Sequence, residues 1–117
     1  MTATDGKGAA TSATLQITVV APVIVTTPAA PSNLAGSSTL SRRIDLVWTD
    51  NSINEKGFKI ERSTNGTSFK RIATLGANVT TYSDGNRTSG HTYYYRVLSY
   101  NGKGNSAYSN TVSVVAK

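Results

Sequence analysis

The chain has 117 residues, no cysteine, one histidine and a formal net charge of +6. That length holds one domain and an extension and can bury a core without staples, while the missing thiols exclude disulfides, thiolate metal sites and cysteine nucleophiles. The composition is rich in Thr, Ser, Val, Asn, Gly and Tyr, and no window sustains an i, i+3, i+4, i+7 apolar pattern, which argues against helices and for an all-β chain.

Residues 1–20 read as a turn and a strand. Asp5-Gly6-Lys7-Gly8 is turn chemistry, and Leu15, Ile17 and Val19 alternate with Thr14, Gln16 and Thr18. A lone hairpin is marginal in water, so this segment is expected to be the remnant of a preceding unit or a strand that pairs elsewhere, including self-association through residues 14–20. The N-terminus lacks the charged and apolar regions of a signal peptide, so the export signal of a secreted parent is expected outside this piece. No apolar run approaches bilayer-spanning length, and membrane insertion is not expected. Residues 21–31 hold all three prolines, Pro22, Pro28 and Pro31, and are predicted to form an extended, semi-rigid linker.

After Pro31 short strands recur. They are expected at 33–38, 43–49, 57–62, 69–75, 79–83 and 92–100, with a last one carrying Val112 and Val114. Alternation assigns Ile44, Leu46 and Trp48 to one face of the second strand, and Phe58 and Ile60 inward with Lys59 and Glu61 outward on the third. In the long strand Tyr93, Tyr95 and Val97 share a face, and Tyr94, Arg96, Leu98 and Tyr100 the other. Asn65-Gly66 between the third and fourth strands is predicted to supply the positive φ of a hairpin turn. Trp48, Tyr93, Leu46, Phe58, Ile60 and Val97 are the expected core.

The pattern resembles a fibronectin type III domain of the bacterial extracellular kind. The residues that carry the resemblance are Pro31-Ser32-Asn33-Leu34, Ile44-Asp45-Leu46-Val47-Trp48, Asp50-Asn51-Ser52, Glu55, Gly57-Phe58, Ile60-Glu61-Arg62-Ser63, Tyr82-Ser83-Asp84, Thr92-Tyr93-Tyr94-Tyr95-Arg96-Val97, Tyr100-Asn101 and Ser106-Ala107-Tyr108-Ser109-Asn110. The resemblance implies a seven-stranded antiparallel immunoglobulin-like β-sandwich over residues 32–117, with an extra N-terminal strand and linker, and the 1–20 segment is similar to the closing hairpin of an immunoglobulin-like repeat. It also implies that Trp48 is the buried tryptophan of the second strand and Tyr93 the tyrosine corner. Arg87-Thr88-Ser89-Gly90-His91 stands where the family usually places a leucine and a proline before that tyrosine. The turn between the last strands reads Gly102-Lys103-Gly104, not Arg-Gly-Asp, so receptor binding of that type is not expected.

Nothing in the chain assembles a nucleophile with a base and an orienting group, and His91 reads as a solvated turn residue, so no catalysis is expected. Asp50-Asn51-Ser52-Ile53-Asn54-Glu55 gathers oxygen ligands but lacks the repeated acids of a calcium loop, and reads as turn capping, as does Asp84-Gly85-Asn86. No metal or cofactor is expected. Asn65, Asn78 and Asn86 lie in Asn-x-Thr sequons, read as by-products of composition. The basic charge suits an anionic partner, yet no basic run concentrates it, so it is read as scattered over solvent-facing positions and nucleic acid is not expected. Tyr94, Arg96, Tyr100 and Lys59 are the candidate binding residues, able to stack on sugars or grip an anionic surface polymer, with ordinary cross-strand pairing the favoured alternative.

The expected role is therefore a non-catalytic spacer, adhesion or binding module of a larger extracellular, bacterial multidomain protein, its partners being neighbouring domains of the same polypeptide and polysaccharide. Two alternatives are an accessory module of a secreted polysaccharide-degrading enzyme and a surface-fibre subunit that donates residues 14–20 as a strand.

Overall fold

The computed structural model describes residues 26–117; the strand expected at 14–20 and the start of the linker lie outside the described residues. The strands are β1 (Ser32–Ser37), β2 (Ile44–Thr49), β3 (Gly57–Ser63), β4 (Lys70–Gly76), β5 (Thr81–Asp84), β6 (Thr92–Asn101), β7 (Gly104–Asn105) and β8 (Val112–Val115). They form two antiparallel sheets, β1-β2-β5 and β4-β3-β6, with β7 and β8 both paired to β6 at its two ends. The elements are all strands and irregular connections, and the architecture is the expected all-β sandwich of immunoglobulin-like type.

Alternation fixes the inner layer. Ile44, Phe58, Ile60, Tyr95 and Val97 have no exposed surface, and Leu34, Leu46, Trp48, Tyr93, Val114 and Ala116 complete the cluster between the sheets. The Trp48 and Phe58 rings meet with centroids 5.7 Å apart at 57°, a tilted pair drawn from opposite sheets. Tyr93 ends its inward reach at the surface, where its hydroxyl accepts the Thr88 N–H (2.8 Å). That is a tyrosine corner. Arg87 lies over the ring at 5.5 Å from its centroid, occupying space beside the corner although the leucine and proline of the usual motif are absent.

One expectation needed correction. The last strand is broken, because between β7 and β8 the chain bonds to β6 through hydroxyls. Ser106 N–H donates to the Ser99 carbonyl (2.8 Å) while Ser106 Oγ accepts the Ser99 N–H (2.9 Å). Ser109 repeats the exchange with Val97 at 2.7 and 3.0 Å. A serine Oγ stands where a strand would present a carbonyl, so the bonds of β6 are kept without a regular ladder. In the β3–β4 connection Gly66 supplies the positive φ (81°) expected of the Asn65-Gly66 pair, while Asn65 works through its side chain, whose Oδ1 accepts the N–H groups of Thr67 and Ser68 (both 2.9 Å).

Asn33, Asn78 and Asn86 adopt left-handed φ values of 56°, 65° and 60°, which asparagine tolerates better than most residues. This gives the asparagines of two of the sequons a backbone reason to be where they are. At Asn33 the positive φ accompanies a register shift between Ser32 and Ala35 in the β1–β2 pair. Asn110 then acts as a substitute strand partner: its Oδ1 accepts the Leu34 N–H and its Nδ2 donates to the Leu34 carbonyl, both at 2.9 Å.

Candidate functional site

The outer surface of the larger sheet collects the residues singled out as binding candidates. Period two along β6 turns Tyr93, Tyr95 and Val97 into the core and leaves Tyr94, Arg96 and Tyr100 half-buried on the other side. The β3–β6 register sets Glu61 opposite Arg96 and Lys59 opposite Leu98, so Lys59 lies between Arg96 and Tyr100. Tyr94, Arg96, Tyr100 and Lys59 therefore share one face. Leu98 is buried there without joining the inter-sheet cluster.

Each candidate is already engaged. The Arg96 guanidinium is held between the rings of Tyr108 (3.7 Å to the centroid) and Phe69 (4.0 Å), and its Nε and Nη2 both reach Glu61 Oε1 at 2.8 Å. Tyr108 completes that unit by donating its hydroxyl to Glu61 Oε2 (3.2 Å). Lys59 Nζ donates to Asn105 Oδ1 (3.0 Å) and stands 4.8 Å from the centroid of Tyr100. The Tyr94 ring lies against Gly66, where even a Cβ would come within 3.5 Å of it. With Arg96 neutralised by Glu61, the strip offers hydroxyl groups and partly exposed rings more than free charge.

Phe69 and Tyr108 were missed as members of this strip. Tyr108 is 44% exposed and comes from the segment where the last strand breaks, so alternation gave no face for it.

The opposite sheet has a shallow concavity of about 400 Å³ on its outer side, lined by Ala35, Val47 and Thr81 together with Arg43, Asp45 and Ser83. Ser83 Oγ donates to Asp45 Oδ1 (2.7 Å) and Arg43 Nη2 to Asp45 Oδ2 (3.2 Å). The Ser83 bond holds the Asp45 carboxyl below its ordinary range, with burial opposing and Arg43 assisting.

The acidic loop is a cap. Asp50 Oδ1 accepts the Ser52 N–H (2.9 Å), and buried Glu55 accepts from Ser52 Oγ (2.7 Å) and from the Asn78 N–H (3.1 Å), tying this loop to the one after β4. Burial and the Glu55 charge raise the Asp50 carboxyl against the Ser52 bond. Burial also opposes ionisation of Glu55, but hydrogen bonds from Ser52, Asp50 and Asn78 outweigh it and hold Glu55 low. Among the described residues no three His, Cys, Asp or Glu side chains come together as metal ligands.

Asp84, at the end of β5, is likewise committed inward. Its Oδ2 accepts the Tyr95 hydroxyl (2.6 Å) and Arg62 Nη1 (2.9 Å), with Arg87 Nε at 3.5 Å from Oδ1. Burial, reinforced by the Asp84 charge, pushes the Tyr95 phenol far above its ordinary value, so it stays a donor. Arg62 sits on β3 and Asp84 on β5, so this bond joins the two sheets. His91 is exposed.

No family model matches the chain. It is 34% identical over 114 residues to an amylopullulanase of Thermoanaerobacter thermohydrosulfuricus, a match that takes in 95% of this chain but 8% of the relative. The chain thus spans less than a tenth of the curated relative's length, and the likeness extends ahead of Thr26. Among solved structures, an Fn3-like protein from Clostridium thermocellum superimposes with a TM-score of 0.66 at 25% identity, over 74% of this chain and 91% of that one. The FN1–FN3 domains of chicken CNTN1 give a TM-score of 0.69 at 16% identity, over 78% of this chain and 31% of theirs. With two antiparallel sheets, a buried tryptophan on β2, a tyrosine corner on β6 and these likenesses, the chain has the fold of a fibronectin type III domain.

Proposed function

We propose that the chain is a non-catalytic module of a larger, secreted bacterial polysaccharide-degrading enzyme, in which it spaces and orients neighbouring domains. The observation that carries this reading is the extent of the amylopullulanase match: nearly all of this chain, including residues ahead of Thr26, against a small fraction of the relative. The condition of the domain's polar groups supports it, since Asp50, Glu55, Asp84, Glu61 and Arg96 are all bonded within the fold. The likeness favours this reading over cell-surface adhesion and over strand donation by residues 14–20. Extracellular location follows from the same reading. The test is the reading frame around this segment. It is expected to encode a glycoside-cleaving domain, and a frame without one overturns the proposal.

Within that reading, the strip of Tyr94, Arg96, Tyr100 and Lys59 is the surface offered to a neutral glucan. Co-sedimentation of the 117-residue chain with insoluble starch measures it. The wild type is expected to be retained and the Tyr94→Ala/Tyr100→Ala variant released. Equal retention of the two removes the strip as a contact surface and leaves the module reading standing.

A further inference from the structure

The residues just ahead of β1 are fastened to the sandwich, and not by the contacts that build it. Thr26 offers its carbonyl to two amides, Asn101 Nδ2 at 2.7 Å and Asn54 Nδ2 at 3.1 Å. The Ala29 carbonyl accepts Ser99 Oγ (2.7 Å), and the Ala30 carbonyl accepts Asn51 Nδ2 (3.0 Å). Asn51 also reaches Ser32 Oγ (2.9 Å), the first residue of β1. Pro28 and Pro31 are buried, and Thr27 packs its methyl towards Gly104, within 3.5 Å of where a Cβ would stand.

The chemistry of this strap is one-sided in a way the prolines explain. A proline has no N–H, so an extended segment containing two of them presents mainly carbonyl acceptors. The sandwich answers with donors: three asparagine amides and a serine hydroxyl, drawn from the β2–β3 loop and the end of β6. The two asparagines on Thr26 are themselves tied to their own loops. Asn101 Oδ1 accepts the Lys103 N–H (2.8 Å), and the Asn54 N–H donates to Ser52 Oγ (3.3 Å). Asn101 Nδ2 further donates to the Asn54 carbonyl (3.2 Å), so the two loops are joined beneath the strap. A connection that only had to reach the next domain would need none of these donors.

We propose that Thr26–Pro31 is a clamp that fixes the direction in which the preceding polypeptide joins the domain, making this module a stiff joint instead of a hinge. The proposal rests on the reading of the chain as one module of a longer polypeptide, but its test involves neither the parent enzyme nor a polysaccharide, so the two fail separately.

Amide relaxation of the isotope-labelled 117-residue chain reads the clamp directly. Order parameters at Thr26, Thr27, Ala29 and Ala30 are expected to match the strands, near about 0.85, and values below about 0.6 there would overturn the proposal. The Asn54→Asp/Asn101→Asp variant keeps both acceptor oxygens and replaces each donor with a carboxylate oxygen that repels the Thr26 carbonyl. It is expected to lower the values at Thr26 and Thr27 while those of β2, β3 and β6 stay as they were. Unchanged values at Thr26 and Thr27 would refute a role for these amides. If the double variant fails to fold, Ser99→Ala decides the matter at Ala29 and Ala30, with the same drop expected and an unchanged value refuting.

Discussion

Removing the Tyr95 hydroxyl tests whether the bond between the sheets stabilises the fold. Tyr95 has no exposed surface, and its hydroxyl donates to Asp84 Oδ2 over 2.6 Å. A hydrogen bond to a charged group contributes about 1.5–3 kcal/mol. Tyr95→Phe does not strand the carboxylate, however, because Arg62 remains at 2.9 Å. The expected cost is therefore the lower half of that range, about 1.5–2.2 kcal/mol, or roughly 6–18 °C in Tm for a domain of this size. Asp84→Ala differs in kind, since it leaves Arg62 and the Tyr95 hydroxyl without their shared acceptor, and about 3–5 kcal/mol is expected. Trp48, the single tryptophan, is buried in the same core and reports unfolding by its fluorescence in a urea titration. A double-mutant cycle of Tyr95→Phe with Asp84→Asn should show coupling of about 1 kcal/mol at an unchanged slope. A Tyr95→Phe variant within about 0.5 kcal/mol of wild type, or strict additivity in the cycle, would refute the inter-sheet bond as a source of stability.

Glycines in one β3–β4 pair should behave oppositely. Gly57 and Gly76 are register partners, but a Cβ on Gly57 would land on the Leu75 carbonyl oxygen, while one on Gly76 meets nothing within 4 Å. Gly57→Ala is expected to cost at least about 1–3 kcal/mol, because backbone cannot give way as a side chain can, and Gly76→Ala to lie within about 0.5 kcal/mol of wild type; urea titration of both checks this. Glu55 predicts a pH effect. Its folded value is depressed, so its contribution is present above the unfolded value of about 4.3 and is lost as pH falls below it. Asp50 is raised and contributes with the opposite sign, present in acid and lost as pH rises through its folded value. The Tm difference between wild type and Glu55→Gln should therefore shrink on acidification from about pH 5 to pH 3, and a difference that holds constant would exclude this linkage.

Most of the fold was legible because its strands alternate. Ile44, Leu46, Trp48, Phe58 and Ile60 announce an inner face in two short runs, and turn residues separate them. The same rule, carried two residues further, puts Arg62 on the inner face of β3 and Asp84 on that of β5. A charged residue at an inward position asks for a partner, and here each is the other's. The break in the last strand was not legible, since it depends on two serine hydroxyls meeting particular N–H groups of β6. Neither was the strap. Proline predicts an extended chain, but only the packed domain shows which amides receive its carbonyls. For the outer face, alternation names Tyr94, Arg96 and Tyr100, while their neighbours Phe69 and Tyr108 come from irregular backbone on either side.

The serine exchange along β6 has a consequence for how many copies of such a module can crowd together. An open sheet border with free N–H and C=O groups invites a foreign strand, and repeated modules on neighbouring chains raise the local concentration of such borders. Ser106 and Ser109 spend the donors of Ser99 and Val97 on hydroxyls, and the backbone that carries these serines is too irregular to template a further ladder. Between β7 and β8 this flank therefore offers no regular border to a foreign strand, and it does so without a charge or a proline in the ladder itself.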